Sequence, residues 1–381
     1  MSVKVAIICA DLNPNDLGGA EVHIVEIVRE LSKKDYEIHL FVGNDDSAKS
    51  LFSEKVFVHA VKYWKIRNLN SIFFSRAVYK EVLNCGIKFD IIHAKQVYPQ
   101  AIVAAKLKKK LGIPLYVTVQ NPFAYKEEMV LKGFWGLMFS HGLWALEMQI
   151  RNALKVADIC ACVSSYSLEG AKKMGAKKCV LVPNGIDLEK FRLYEGERNK
   201  FEITTTSTLI PRNGIDILIE AMPAVLLKFP EAKLKIAGEG PMEHSLKARI
   251  VELKIENCVD FLGTINHDAI PELVRKSHVF VRPSRFEGFG VSFIEAMALG
   301  TPVITCPVGG IVDFLTNGET GFLVPSGNVA ELSKAIIRVF EEPEEMKIIT
   351  ANARKLVEER YDWQNIAKSV EEAYLSATSL K

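Results

Sequence analysis

The sequence predicts an α/β protein of two Rossmann-like, doubly wound domains, and three observations carry that expectation. The chain has 381 residues, more than one hydrophobic core usually serves. Short β-branched runs alternate with amphipathic helical patterns from end to end, as parallel sheets covered by helices on both faces require. The plan also runs twice, broken near Pro183-Asn184-Gly185-Ile186-Asp187, where proline, asparagine and glycine in succession stop strand and helix alike.

In the first half the strand candidates are 3–9, 37–42, 90–94, 115–120, 158–163 and 179–182, separated by helices such as 20–33, 73–83 and 100–111. In the second half they are 201–206, 233–237, 259–262, 279–281 and 303–305. The helix expected over 215–227 sets Ile215, Leu218, Ile219, Met222, Val225 and Leu226 on one stripe, the 3.6-residue period of a core-facing surface. A last helix over 363–375 follows Asp362, a residue suited to cap it. The expected domains are 1–185 and 186–360, with the charged segment 195–200 as linker and 361–381 as a helix returning to the first domain.

Composition narrows the function classes. Apolar content of 49% and charged content of 25% are those of a folded, soluble protein and argue against disorder. The longest uncharged apolar stretch, 133–146, has 14 residues and falls short of the roughly 20 that span a bilayer. The amino terminus reaches Asp11 after a short apolar run, which reads as a strand and not as a signal peptide. Seven cysteines, mostly inside apolar runs, form no CxxC pair and stand near no histidine at zinc spacing. They read as core thiols in a reducing cytoplasm. Charge is uneven: residues 1–180 hold 25 Lys and Arg against 17 Asp and Glu, a balance of +8, and the remainder holds 23 against 29, or −6. Lys106, Lys108, Lys109 and Lys110 cluster tightly, a patch suited to an anionic membrane surface or an acidic acceptor.

Two motifs carry chemistry. Gly18-Gly19-Ala20-Glu21 lies between the first strand and an amphipathic helix, where bare amides at a helix start can meet phosphate or sugar oxygens; alone, such a pair is also an ordinary turn. It is no GxGxxG fingerprint, so a dehydrogenase reading gains little. The second motif brackets Gly288-Phe289-Gly290 with Glu287 and Glu295, seven residues between the two carboxylates. Phe289 and Phe293 would suit a core as well. A pair of carboxylates around an anion-binding loop at the carboxyl end of a strand nevertheless suits a nucleotide sugar, whose diphosphate would meet the amides and whose hydroxyls would meet the carboxylates.

Taken with Val163-Ser164, Pro183-Asn184-Gly185-Ile186-Asp187, Ala237-Gly238-Glu239-Gly240-Pro241, Phe261-Leu262-Gly263, Gly300-Thr301-Pro302 and Gly321-Phe322-Leu323-Val324, these motifs resemble glycosyltransferase family 4, of the group 1 type. The resemblance runs nearly the full chain. It implies the GT-B fold, two Rossmann-like domains facing a central cleft, and a retaining transfer of a hexose or N-acetylhexosamine from a nucleotide diphosphate to a hydroxyl acceptor. It implies that Glu295 accepts from the ribose hydroxyls and Glu287 meets the sugar near the reacting carbon. Amides around Gly288, Phe289 and Gly290 would hold sugar or phosphate oxygens, Gly18 and Gly19 would approach the diphosphate, and Glu239 would lie near the nucleoside. No cofactor and no metal are implied, protein cations and helix dipoles taking the place of Mg²⁺; no Asp-x-Asp element ends a strand.

Three positions depart from the family pattern. Where many members carry an arginine and a lysine after the first strand of the second domain, this chain has Thr208 and Asn213. Arg212, one residue from the lysine position, is the candidate replacement, with Arg282 a less suited second. Gln120 stands where many members have a histidine after Thr-x, so it could bind a sugar hydroxyl but not carry a proton. His93 reads as a buried structural histidine. The aromatics of 121–148 (Phe123, Tyr125, Phe134, Trp135, Phe139 and Trp144 among them) read mainly as helix packing, and with the lysines could also make an interfacial surface for a lipid-linked acceptor. The expected setting is cytoplasmic, with peripheral contact at the inner face of the membrane, and no nucleic-acid partner. The alternative reading is a catalytically weakened nucleotide-sugar-binding protein of the same fold; an epimerase of similar architecture fits the Glu287/Glu295 pair poorly.

Overall fold

Near-continuous apolar runs become strands buried on both faces. The computed structural model describes residues 2–14, 18–43, 46–66, 69–121 and 140–379, the side chains of 140–143 excepted. Two compact units emerge, Met1–Asn184 together with Trp363–Lys381, and Gly185–Asp362.

Among the described residues the first unit holds a seven-stranded sheet of β1 (Val3–Cys9), β2 (Tyr36–Gly43), β3 (Val56–Val61), β4 (Ile91–Ala94), β5 (Leu115–Val119), β6 (Ile159–Cys162) and β7 (Cys179–Leu181). Their order is β3-β2-β1-β4-β5-β6-β7, and every neighbouring pair is parallel. Alternation along β1 shows how the sheet is covered. Val5, Ile7 and Cys9 pack with helices Gly19–Ser32 and Trp363–Thr378, whereas Ala6 and Ile8 face helices Asn70–Asn84 and Ile102–Leu111.

The second unit repeats the scheme with β8 (Glu202–Thr206), β9 (Lys233–Ala237), β10 (Val259–Gly263), β11 (Val279–Arg282), β12 (Val303–Thr305) and β13 (Phe322–Leu323), ordered β10-β9-β8-β11-β12-β13 and again parallel. Helix Ile215–Lys228 buries Ile215, Leu218, Ile219, Met222 and Val225 against it, the stripe its periodicity predicts.

Two strands were not read from the sequence. β3 is an edge strand whose Phe57 lies open to solvent, and β13 has two residues. Segment 195–200, expected as a linker, is instead part of the second unit. Arg198 donates to the carbonyl of Leu299 (3.0 Å) and the hydroxyl of Thr301 (2.8 Å), and burial pulls its pKa down to about 10. The chain leaves the second unit beside the point where it enters: the Ile186 N–H donates to the Tyr361 carbonyl at 2.7 Å, and Ile186 bridges Asp362. Trp363, Ile366, Val370 and Tyr374 of the following helix then bury in the first unit's core.

Candidate active site

Each sheet reverses its strand order beside its first strand, between β1 and β4 and between β8 and β11. Crevices outside the carboxyl ends of such strands receive ligands in doubly wound sheets. In the second unit four loops meet there. After β8 and β9, the Ser207 N–H donates to the Ala237 carbonyl and the Leu209 N–H to the Glu239 carbonyl, each at 2.9 Å. After β8 and β11, the Arg212 carbonyl accepts from the Arg285 N–H at 2.7 Å. Asn213 is buried and spends its amide on the Thr208 carbonyl (2.8 Å), while the Thr208 and Arg212 side chains stand exposed.

Glu287 is gripped at both ends. Its carboxylate pairs at 2.8 Å with Arg282, the buried last residue of β11. Arg282 also donates to the Ser284 hydroxyl and the Thr206 carbonyl, both at 3.2 Å, and lies 4.4 Å over the Phe293 ring. The Glu287 carbonyl accepts from the Gly310 N–H at 3.3 Å and is crossed by Gly309, where φ is 57° and a Cβ would come within 1.6 Å of that oxygen. Gly290, at φ 100°, opens helix Val291–Ala298; a Cβ there would meet the Phe293 ring at 2.7 Å. Phe289 buries its ring against Phe314 and Tyr361, so what it offers a ligand is its backbone amide.

Glu295 follows on that helix and is buried. His267 Nε2 lies 3.1 Å from its Oε1, and His267 Nδ1 lies 2.8 Å from Lys190 Nζ, itself paired with Asp268 at 2.6 Å. An ammonium only donates, so Nδ1 accepts and the proton sits on Nε2, aimed at the Glu295 carboxylate. Glu239 stands exposed beyond β9, its Oε1 accepting the Thr264 N–H at 3.2 Å. One edge of one sheet therefore collects Thr208, Arg212, Asn213, Glu239, Glu287, Gly288, Phe289, Gly290 and Glu295.

The remaining candidates belong to the first unit. Gly18 is extended (φ −77°, ψ 173°) and precedes helix Gly19–Ser32 with no side-chain cap. Beside it lies Lys95, just past β4, buried and ion-paired with Glu21. Gln120, past β5, exchanges two long amide bonds with buried Asn184, at 3.3 and 3.4 Å. His93 is buried between the Thr118 hydroxyl (2.7 Å) and the Tyr374 hydroxyl (2.6 Å), and burial first, then His23, drives its pKa to about 3.

Sequence reasoning missed His267, Lys190 and Lys95 and undervalued Arg282. A lysine directly after an apolar strand run was the one available signal, for Lys95. Leu17 and the aromatics Phe123, Tyr125, Phe134, Trp135 and Phe139 lie outside the described residues. Of the lysine cluster, Lys108 is committed to Asp158 at 2.5 Å. Among the described residues no three His, Cys, Asp or Glu side chains are grouped to hold a metal ion, and no helix is long and apolar enough to cross a membrane.

Comparison with known proteins adds to this geometry. Residues 17–190 match the family model described as Glycosyltransferase Family 4, and residues 189–374 the model described as Glycosyl transferases group 1. An uncharacterised glycosyltransferase of Methanocaldococcus jannaschii is 27% identical over 361 residues, 94% of each chain. Among solved structures, Anabaena HepE in complex with UDP and glucose is similar with a TM-score of 0.79 at 22% identity, over 98% of this chain and 100% of that one. Sucrose-phosphate synthase of Thermosynechococcus elongatus is similar with a TM-score of 0.83 at 20% identity, over the whole of both. The fold is GT-B.

Proposed function

We infer that this chain, which belongs to the group 1 glycosyltransferases of family 4, moves a hexose or N-acetylhexosamine from a nucleotide-diphosphate sugar to a hydroxyl acceptor with retention of anomeric configuration. The observation that carries the reading is the second unit's switch point, where the fixed Glu287, the buried Glu295 and the glycine loop between them share one sheet edge. The complexes of HepE with UDP and with UDP-glucose support a nucleotide sugar as donor.

In this reading the Glu295 oxygen not engaged by His267 accepts from the ribose, and Glu239 lies by the nucleoside. Glu287, its charge balanced by Arg282, accepts from sugar hydroxyls. Amides of Gly288, Phe289 and Gly290 hold sugar or phosphate oxygens, and the resemblance assigns Gly18 and Gly19 to the diphosphate. Gln120 binds a sugar hydroxyl by turning from Asn184. Breaking the bond from the anomeric carbon to the β-phosphate oxygen builds negative charge that Arg212 meets, with polar help from Thr208 and Asn213. The acceptor oxygen then bonds to the same face of the carbon, and its proton passes to the departing phosphate. No cofactor or metal takes part, and the reaction is placed in the cytoplasm, on a glycan or lipid-linked acceptor.

The Asn213 amide, spent on its own loop, and the uncharged Thr208 favour a second reading, a nucleotide-sugar-binding protein with weakened catalysis. Nucleotide release from UDP-, GDP- and ADP-sugars decides between them. The enzyme releases nucleoside diphosphate from one donor, and both Glu287→Ala and Glu295→Ala cut that release at least about a hundredfold. Donor binding without turnover across acceptors selects the second reading, and absence of binding to every nucleotide sugar refutes both.

A further inference from the structure

The expectation of membrane contact rested on 121–148, most of which lies outside the described residues, and on a lysine cluster already partly paired. A different surface of the first unit carries it. Between Lys55 and Lys80 the sequence holds six Lys and Arg and no Asp or Glu. Within that stretch Trp64, Ile66, Leu69 and Ile72 are exposed by 75, 42, 42 and 48%. They form one patch. The Leu69 N–H donates to the Ile66 carbonyl (2.9 Å), the Ile72 N–H to the Leu69 carbonyl (3.0 Å), and the Trp64 ring centre lies 6.1 Å from that of Phe73.

Cations surround this apolar tip. Lys62 and Lys65 flank Trp64, and Arg76 and Lys80 continue the line of Ile72 along helix Asn70–Asn84 at four-residue steps. All four are exposed, and among the described residues none is in an ion pair. A monomer seldom shows water a tryptophan and three aliphatic side chains together, and unneutralised lysines around them select an anionic partner. A phosphate backbone alone would use the cations and leave the aliphatic tip in water. The headgroup layer of an acidic bilayer uses both, since tryptophan settles at that level, aliphatic side chains enter the acyl boundary, and lysine stems snorkel to the phosphates.

We propose that the patch of Trp64, Ile66, Leu69 and Ile72, with Lys62, Lys65, Arg76 and Lys80 around it, docks this protein on an anionic lipid bilayer. The docking stands apart from the donor chemistry, so either can fail without the other.

The test is flotation of the full-length protein with vesicles of phosphatidylcholine alone and of phosphatidylcholine with about 30% phosphatidylglycerol. Binding is expected to the anionic vesicles at low salt, to fall steeply by about 0.5 M salt, and to shift tryptophan emission to the blue. Trp64→Ser weakens it at least about tenfold and abolishes the shift, and Lys62→Ala and Lys65→Ala each weaken it about fivefold. These side chains are exposed, so circular dichroism and melting temperature stay those of the parent protein. No flotation at low salt, equal binding to neutral vesicles, or wild-type binding by Trp64→Ser would overturn the proposal. So would a Trp64-dependent dimer in sedimentation that leaves vesicle binding unchanged.

Discussion

Replacing Arg282 with methionine should unsettle both the stability and the chemistry of the second unit. The side chains of Arg282 and Glu287 are 9% and 19% exposed, so the pair is nearly removed from water. Breaking one partner of a buried pair costs about 3 to 5 kcal/mol. Residual solvent at Glu287 puts the expected loss near the lower end, about 3 kcal/mol, because methionine keeps the packing on Phe293 but leaves the Thr206 carbonyl and the Glu287 carboxylate without their donor. Glu287→Gln should cost about half as much, since its amide oxygen still accepts. The double variant should then be more stable than the two losses predict, by about 2 kcal/mol of coupling. Urea unfolding is followed by far-UV circular dichroism, which senses both units, because 185–362 holds no tryptophan and emission would miss the second unit. Arg282→Met should also lower kcat/KM about a hundredfold through misplacement of Glu287, with Arg282→Lys recovering part of it. Additive losses, with coupling under about 0.5 kcal/mol, would refute the claim that Arg282 acts through Glu287.

Two further outcomes follow from the same geometry. His267→Ala removes the N–H aimed at Glu295 and should weaken binding of the nucleoside diphosphate that the donor screen selects about tenfold with kcat within about twofold, while His267→Gln, whose amide can donate, restores most of the affinity; isothermal titration decides, and an unchanged Kd removes His267 from the site. His23 and His93, both driven by burial to a pKa of about 3 from an ordinary 6.5, stay neutral in the folded protein while the unfolded chain takes up protons. Their contribution to stability is therefore complete above about pH 6.5 and lost as the pH falls toward 3. By pH 5 each should have cost about 2 kcal/mol, a drop that His93→Gln should roughly halve; a melting temperature flat from pH 7 to 5 would contradict it.

Much of this protein follows from patterns that a short window contains. A strand covered on both faces draws on apolar and β-branched residues, so β1, β4, β5 and β11 stand out in the residue order by their apolar runs and β8 by Ile203 and its three threonines, as does the glycine loop around Phe289. β13 did not, because a two-residue strand is defined by hydrogen bonds to its neighbour and not by burial of its own, and β3 went unread although Val56-Phe57-Val58 is an apolar, β-branched run. The carboxylates Glu287 and Glu295 were legible for the same local reason: a loop and the helix after it set their spacing.

What tertiary structure alone decided is which groups those carboxylates meet. Lys190 lies 77 positions from His267, and His267 lies 28 from Glu295. Lys95 lies 74 from Glu21. Parallel strands joined by crossovers lay the ends of sequence-distant strands side by side, so these contacts depend on strand order, which hydrophobic periodicity does not encode. Even Arg282, five residues from Glu287, shows its role only through burial, since an arginine in water at that spacing would carry no such obligation to its neighbour.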